Sequence, residues 1–262
     1  MTHEGTLVGT VRSLYRYPIK STAGEALRIA RVTAGGLQHD RKWAVYTDDG
    51  GIASGKRTRR FRPVLGLMQW SSRIEDGHDI PILVSPEGIQ YHADDPAAPQ
   101  ALSEVLGQQL RLRRETTIKH HDETPLHLVT TSSLAAIAVL SGQPVDERRF
   151  RANIIIDTGT EPVFQEDNWI GAELVIGDQV RVRLGQGMPR CLMIDQSQRG
   201  VAVEQKILKL LGTHHNTNLG LQAHTSRPGK VRIGDRVILR RPEVPAASTS
   251  LAQGTYKVRT SC

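Results

Sequence analysis

The chain has 262 residues, 38% of them hydrophobic, and two cysteines, enough to bury one large core or two small ones without disulfides; this argues against a disulfide-framed secreted module and for a reducing, cytoplasmic setting. A formal net charge of +7 and a pI near 9.7 favour an anionic partner, whether a nucleic acid, a phosphorylated small molecule or an acidic protein. With 4% aromatic residues and no zinc-finger, KH or RNP pattern, base-stacking platforms are missing and nucleic acid is not expected as the main partner.

Residues 1–5 are polar and lack a signal-peptide core, and no later apolar run is long enough to span a bilayer, so no membrane association is expected. Residues 7–16 alternate apolar and polar (Leu7, Gly9, Val11, Ser13, Tyr15), the period of a strand with one buried face. Pro18 cannot donate to a ladder, so the strand ends there and leaves Lys20 and Ser21 in a loop. Further strands are expected at 26–33, closed by Gly35 and Gly36, and at 43–47, turned by Asp48-Asp49-Gly50-Gly51. Others follow at 66–71, 80–85 and 89–92, a spacing that reads as a barrel. Between them, residues 56–62 form the densest charge run; such runs are usually solvated loops, with an anion or partner site as the alternative.

A helix over 100–106, stopped by Gly107, precedes strand alternation at Leu110 and Leu112. His120-His121-Asp122 has no further ligand at a recognisable offset, so a loop with two surface histidines is expected, and the same holds for His214-His215. Beyond Pro125 a strand from His127 runs through Thr130-Thr131-Ser132-Ser133 into a helix ended by Gly142. Thr131 or Ser132 is the expected N-cap. Free amides beside several hydroxyls suit an anion, although capping alone accounts for the hydroxyls nearly as well.

Arg151 and Asn153 stand two apart at the mouth of the apolar strand Ile154-Ile155-Ile156, which aims both to one face and favours an anion contact. A strand at 179–184 leads to the loop holding Cys191, a helix spans 203–211, and closing strands follow at 219–223 and 230–239. Ile176-Gly177-Asp178 and Ile233-Gly234-Asp235 read as two similar turns. Cys191 directly follows Arg190, and a guanidinium beside a thiol favours the thiolate that attacks electrophiles or ligates soft metals. Taken alone, the pair favours a cysteine that merely fills the core.

Seven segments, in order, resemble the MOSC family, the group that includes the mitochondrial amidoxime-reducing component and its bacterial relatives: Tyr17-Pro18-Ile19-Lys20-Ser21, Asp40-Arg41-Lys42-Trp43, the 130–134 hydroxyl cluster, Phe150-Arg151-Ala152-Asn153-Ile154, Glu166-Asp167-Asn168-Trp169, Arg190-Cys191, and Pro228-Gly229 through Gly234-Asp235. The resemblance implies a mainly β (α+β) fold with a few short helices: a MOSC N-terminal β-barrel-like domain over 5–115 and a MOSC domain over 116–241; residues 242–262, rich in Pro, Ala, Ser and Thr, are expected to form a flexible tail. It implies that Cys191 is the protein thiolate on the metal of a molybdenum cofactor (Mo-molybdopterin). Lys20, Ser21, Arg41, Thr131, Ser132, Arg151 and Asn153 would then hold the cofactor phosphate and pterin, and Arg190 would orient the loop. The activity implied is two-electron reduction of an N-hydroxylated substrate, such as an amidoxime or a hydroxylated base analogue; by proximity in the chain alone, Asp195 or a nearby histidine is the candidate for general acid help. Pyridoxal phosphate binding is a further possibility at the level of the family. The cysteine pattern of a fused plant-type ferredoxin is absent, so electrons would come from a separate ferredoxin, cytochrome b5-like protein or flavin reductase. A departure from the family is Ala152, where relatives often have proline. Two rival readings remain open: a sulfur carrier using a Cys191 persulfide, and a non-catalytic basic binding module.

Overall fold

The computed structural model describes residues 5–201 and 206–242; the start of the helix expected at 203 and nearly all of the expected tail lie outside them. The first half contains β1 (Thr6–Arg16), β2 (Glu25–Leu27), β3 (Ile29–Thr33), β4 (Gly36–Leu37), β5 (Trp43–Thr47), β6 (Ile52–Ser54), β7 (Phe61–Pro63), β8 (Ser71–Arg73), β9 (Ile82–Val84), β10 (Gln90–His92), α1 (Ala97–Leu106) and β11 (Leu110–Arg114). The second half contains β12 (Leu126–Thr130), α2 (Thr131–Ser141), β13 (Ile154–Asp157), β14 (Glu173–Ile176), β15 (Val180–Pro189), α3 (Ile207–His214), β16 (Asn218–Arg227), β17 (Gly229–Arg232) and β18 (Arg236–Arg240).

Seven strands close a barrel in the order β13-β12-β16-β15-β14-β18-β1, with β1 returning to β13. Within the barrel only β12 and β13 pair in parallel, and α2 lies in the crossover that a parallel pair needs. Closure leaves no free edge along these strands. Inward-facing Val11, Leu128, Ile154, Leu174, Val182, Leu221 and Val237 fill the barrel, because side chains alternate sides along each strand. β1, drawn from the start of the chain, is thus an integral stave of a barrel otherwise built from residues 126–240.

A second core lies under the sheet β11-β5-β6-β7, the small sheet β10-β9-β8 and α1, where Ile19, Trp43, Leu67, Trp70, Leu83 and Leu102 pack together. The segment after β1 joins the two cores: Ile19 bridges to Trp43, and the Lys20 amide donates to the Trp43 carbonyl at 2.8 Å.

Several local expectations are corrected by pairing partners. The strand expected at 26–33 breaks at Arg28, because β2 pairs with β1 whereas β3 pairs with β17 in a different sheet. Residues 67–69 form a 3-10 turn after Gly66, whose φ of 84° departs from strand geometry, so the strand begins at Ser71. The span 230–239 divides into β17 and β18 at Ile233-Gly234-Asp235, where Gly234 has φ 88°; Gly177 has φ 58° at the matching turn. β15 continues through two irregularities at 184–189 and carries the chain to Pro189. The N-cap of α2 is Thr130, whose Oγ1 accepts from the Ser133 amide at 3.2 Å, one residue ahead of the expected position. Among the described residues no helix is long and apolar enough to cross a membrane.

Candidate functional site

A cleft opens where one end of the barrel meets the second core. Its walls bring together Lys20, Ser21, Arg41, Arg151, Asn153 and Arg190, contributed by the segment after β1, the turn before β5, the segment before β13 and the end of β15. Cys191 follows immediately, half-buried, in extended conformation at the start of the 3-10 turn Leu192–Ile194. Strand alternation does not explain Arg151, since it adopts φ 54° before β13 begins. Ser21 (φ 66°) and Arg41 (φ 52°) share this left-handed backbone. Such conformations cost about 1–3 kcal/mol each for ordinary residues and persist where the surroundings impose them, commonly at functional sites.

The cleft is cationic and largely dry. Tyr17, 3% exposed, offers its ring to two guanidinium groups, Arg151 at 4.2 Å and Arg41 at 4.8 Å from the centroid. Arg41 also pairs with the fully buried Asp40 and donates to the Arg151 carbonyl at 3.1 Å. Arg151 donates to the Thr22 carbonyl at 2.8 Å, and Arg190 to the Phe150 carbonyl at 2.8 Å. Lys20 and Lys56 both pair with Asp122 and both sit over the Phe61 ring. Burial pushes Lys20 down to about 8, against the pull of Asp122, and pushes Arg151 and Arg190 down to about 10. For Arg190 the charge of Cys191 is the foremost opposing influence. Burial would raise the Asp122 carboxyl, but Lys20 and Lys56 hold it well below the usual range. Cations held this dry are relieved by an incoming anion.

Other expected site residues lie elsewhere. The structure does not bring Thr131 and Ser132 to the cleft: they follow the far end of β12, where Thr131 donates to the Gly159 carbonyl at 2.6 Å and Ser132 shares a 2.7 Å bond with Thr158. Besides Ser21, the hydroxyl residue that lines the cleft is Thr124, just before the near end of that strand. Asn153 lines the cleft, but its amide is engaged with backbone, accepting from the His127 amide at 3.2 Å and donating to the Tyr15 carbonyl at 3.3 Å. Asp195 accepts from the Leu208 amide at 3.2 Å near the start of α3, so its carboxylate is tied to that helix rather than aimed at substrate. His120 and His121 are buried rather than on the surface. Burial pushes both down to about 4, which leaves them neutral at pH 7.

Sequence reasoning did not single out Tyr17, Lys56, Asp122 or His127 as parts of the site. The available signals were the position of Tyr17 inside a resemblance-bearing segment and of Lys56 at the head of the charge run.

The donors present fit an anionic cofactor with a thiolate-bound metal. Arg190 Nε and His121 Nδ1, both buried and both on cleft-lining residues, have no hydrogen-bond partner in the protein. Buried polar atoms seldom stay unpaired, so two at one cleft mark a place for a ligand. The lining carries five cationic side chains against the carboxylates of Asp122 and Glu123, with the one cysteine of the described residues adjacent.

Comparison with known proteins gives the same direction. The chain matches the MOSC N-terminal beta barrel domain over residues 8–114 and the MOSC domain over residues 115–238. It is 25% identical to mitochondrial amidoxime reducing component 2 of Homo sapiens across 88% of this chain and 83% of that protein. It is 26% identical to mitochondrial amidoxime-reducing component 1 of Mus musculus, with 88% and 82% covered. Molybdenum cofactor sulfurase of Oryza sativa subsp. japonica is 25% identical over 72% of this chain, which spans only 28% of that protein. The YUAD protein from Bacillus subtilis shares the fold, with a TM-score of 0.50 at 13% identity, covering 90% of this chain and 97% of that one. The cationic cleft beside Cys191 therefore sits in a chain that belongs to the MOSC family, with an N-terminal MOSC beta barrel domain joined to a MOSC domain.

Proposed function

We propose that the chain is a molybdenum-cofactor-binding oxidoreductase that reduces N-hydroxylated compounds, amidoximes or N-hydroxylated base analogues, with electrons from a separate donor protein. The observation that carries this is the cationic cleft beside Cys191, with two unpaired buried nitrogen atoms on its lining residues, Arg190 Nε and His121 Nδ1. The relatives named amidoxime-reducing components support the substrate class.

Bound in the cleft, the cofactor would supply the two-electron redox chemistry. Cys191 would provide the soft thiolate ligand that molybdenum favours. Lys20, Lys56, Arg41, Arg151 and Arg190 would neutralise the anionic groups, with Tyr17 holding two of the guanidiniums in place. Met188, Phe150 and Met193 on the wall exclude water, which strengthens each of these contacts. The overall change is balanced by two electrons and two protons: the N–O bond breaks, one proton goes to the nitrogen, and the other joins the hydroxyl, which leaves as water.

The test compares molybdenum and pterin per chain in wild type and Cys191→Ser, expressed in a host that makes the cofactor, followed by reduction of an aromatic amidoxime with dithionite. Near-stoichiometric metal that drops in the variant, with wild-type turnover, is the expected result; wild type without metal or pterin refutes the proposal. The match to part of a molybdenum cofactor sulfurase favours a second reading, in which Cys191 carries a persulfide. Release of thiocyanate on cyanolysis from metal-free wild type, and not from Cys191→Ser, would support it.

A further inference from the structure

We propose that the cavity where the two Ile-Gly-Asp turns meet the β3 and β17 pair binds a small phosphorylated polyol, either a free sugar phosphate or the headgroup of a phosphoinositide. The site is separate from the Cys191 cleft and does not depend on the oxidoreductase reading. Gln179, just ahead of β15, lines this cavity, whereas Met188 and Pro189 at the other end of β15 line the cleft. The ten residues of that strand set the two sites roughly 30 Å apart.

Arg31, Lys230 and Arg232 line the cavity together with Asp178, Asp235 and Gln179, around a space of about 480 Å³. Arg31 and Lys230 stand directly opposite each other in the antiparallel register of β3 and β17, and Arg232, two residues on, shares their face. The opposite face of the pair is the buried one, formed by Ala30, Val32 and Val231. Like charges set directly opposite destabilise a sheet. Among the described residues none of the three cations has a side-chain hydrogen-bond or ion-pair partner, although two carboxylates line the same cavity. An anion placed between them would turn this repulsion into a binding contribution.

The carboxylates reach the cavity through the two similar turns of the sequence, Ile176-Gly177-Asp178 and Ile233-Gly234-Asp235. Asp235 Oδ2 accepts from the Arg232 amide at 2.8 Å, and a Cβ on Gly177 (φ 58°) would meet the same oxygen at 2.8 Å. A Cβ on Gly229 would meet Gln179 Cβ at 2.8 Å, so the wall closes in this way only with glycine there. Carboxylates accept hydrogen bonds and repel a second anion. A ligand that suits both sides therefore carries an oxyanion toward the cations and hydroxyls toward Asp178 and Asp235. Among the described residues no aromatic side chain lines the cavity, which leaves a nucleobase without a stacking partner and disfavours a nucleotide.

Isothermal titration of the full chain uses ribose 5-phosphate, inorganic phosphate and ribose as probes. Wild type should bind ribose 5-phosphate about tenfold more tightly than either fragment, and Arg31→Gln should bind it about tenfold more weakly than wild type. Without ligand, Arg31→Gln should melt no lower than wild type, because the substitution relieves the opposed pair. Asp178→Asn should weaken ribose 5-phosphate without weakening inorganic phosphate. Cosedimentation with phosphatidylcholine vesicles carrying phosphatidylinositol 4-phosphate separates the two sources. Vesicle binding that is lost in Arg31→Gln identifies a lipid headgroup; tight ribose 5-phosphate binding with no vesicle binding identifies a free compound. Binding of neither ribose 5-phosphate nor vesicles, or a lower melting temperature for Arg31→Gln, would overturn the site. So would weakening by Lys20→Met in place of Arg31→Gln, which would move the binding to the cleft.

Discussion

Tyr17 is the keystone of the cleft if its ring face, and not its bulk or hydroxyl, holds Arg41 and Arg151. Replacing it with leucine keeps an apolar side chain but removes both cation–ring contacts, at 4.2 and 4.8 Å. Desolvated contacts of this kind contribute about 1–2 kcal/mol each, and the smaller side chain leaves a cavity costing roughly 1 kcal/mol more. The sum is about 3–4 kcal/mol, with some sharing between the two arginines. Tyr17→Phe loses only the 3.3 Å bond from the hydroxyl to the Ala152 carbonyl, about 1 kcal/mol or less. At roughly 2–4 °C per kcal/mol for a domain of this size, Tyr17→Leu should melt roughly 10 °C below wild type and Tyr17→Phe about 3 °C below or less. Calorimetry on the two variants with matched cofactor content is the assay, and Tyr17→Leu should also bind less molybdenum. Equal melting temperatures for the two variants would refute the role assigned to the ring.

Lys20, pushed down to about 8 by burial, is an ammonium below that pH and neutral above it, so the anion affinity of the cleft should fall as pH rises through 8. Sulfate, which does not titrate there, should bind roughly tenfold more weakly at the alkaline end. Isothermal titration should show that step in wild type and not in Lys20→Met; a flat wild-type profile would contradict it. Ser132→Ala removes bonds to Thr158 and Gln165 and should lower stability by about 1–2 kcal/mol in urea without changing molybdenum per chain. Loss of the metal would restore Ser132 to the binding site.

Much of the local structure was legible because it rests on short-range rules. Alternation marked β1, the Asp48-Asp49-Gly50-Gly51 turn bounded β5, and Gly107 and Gly142 close α1 and α2 in left-handed conformation at the expected places. The Arg190-Cys191 pair and the Lys20-Ser21 segment were readable as motifs, and the mainly β, barrel-containing class followed from the resemblance and from the strand spacing. The site itself was only half legible. Thr124 and the Thr131-Ser132 pair flank the two ends of β12, and local sequence does not say which end faces the cleft. That depends on the direction of β12 in a barrel closed by β1 against β13, a pairing that joins Val11 to Ile156. Lys56 and Asp122 likewise meet across the cleft from distant points in the chain. The sequence by itself determined most strand and turn positions, the Arg190-Cys191 pair and the cationic character, since these depend on neighbouring residues and composition. Only the tertiary structure decided which cations are buried and which are paired, because burial and pairing depend on long-range contacts created when the barrel closes.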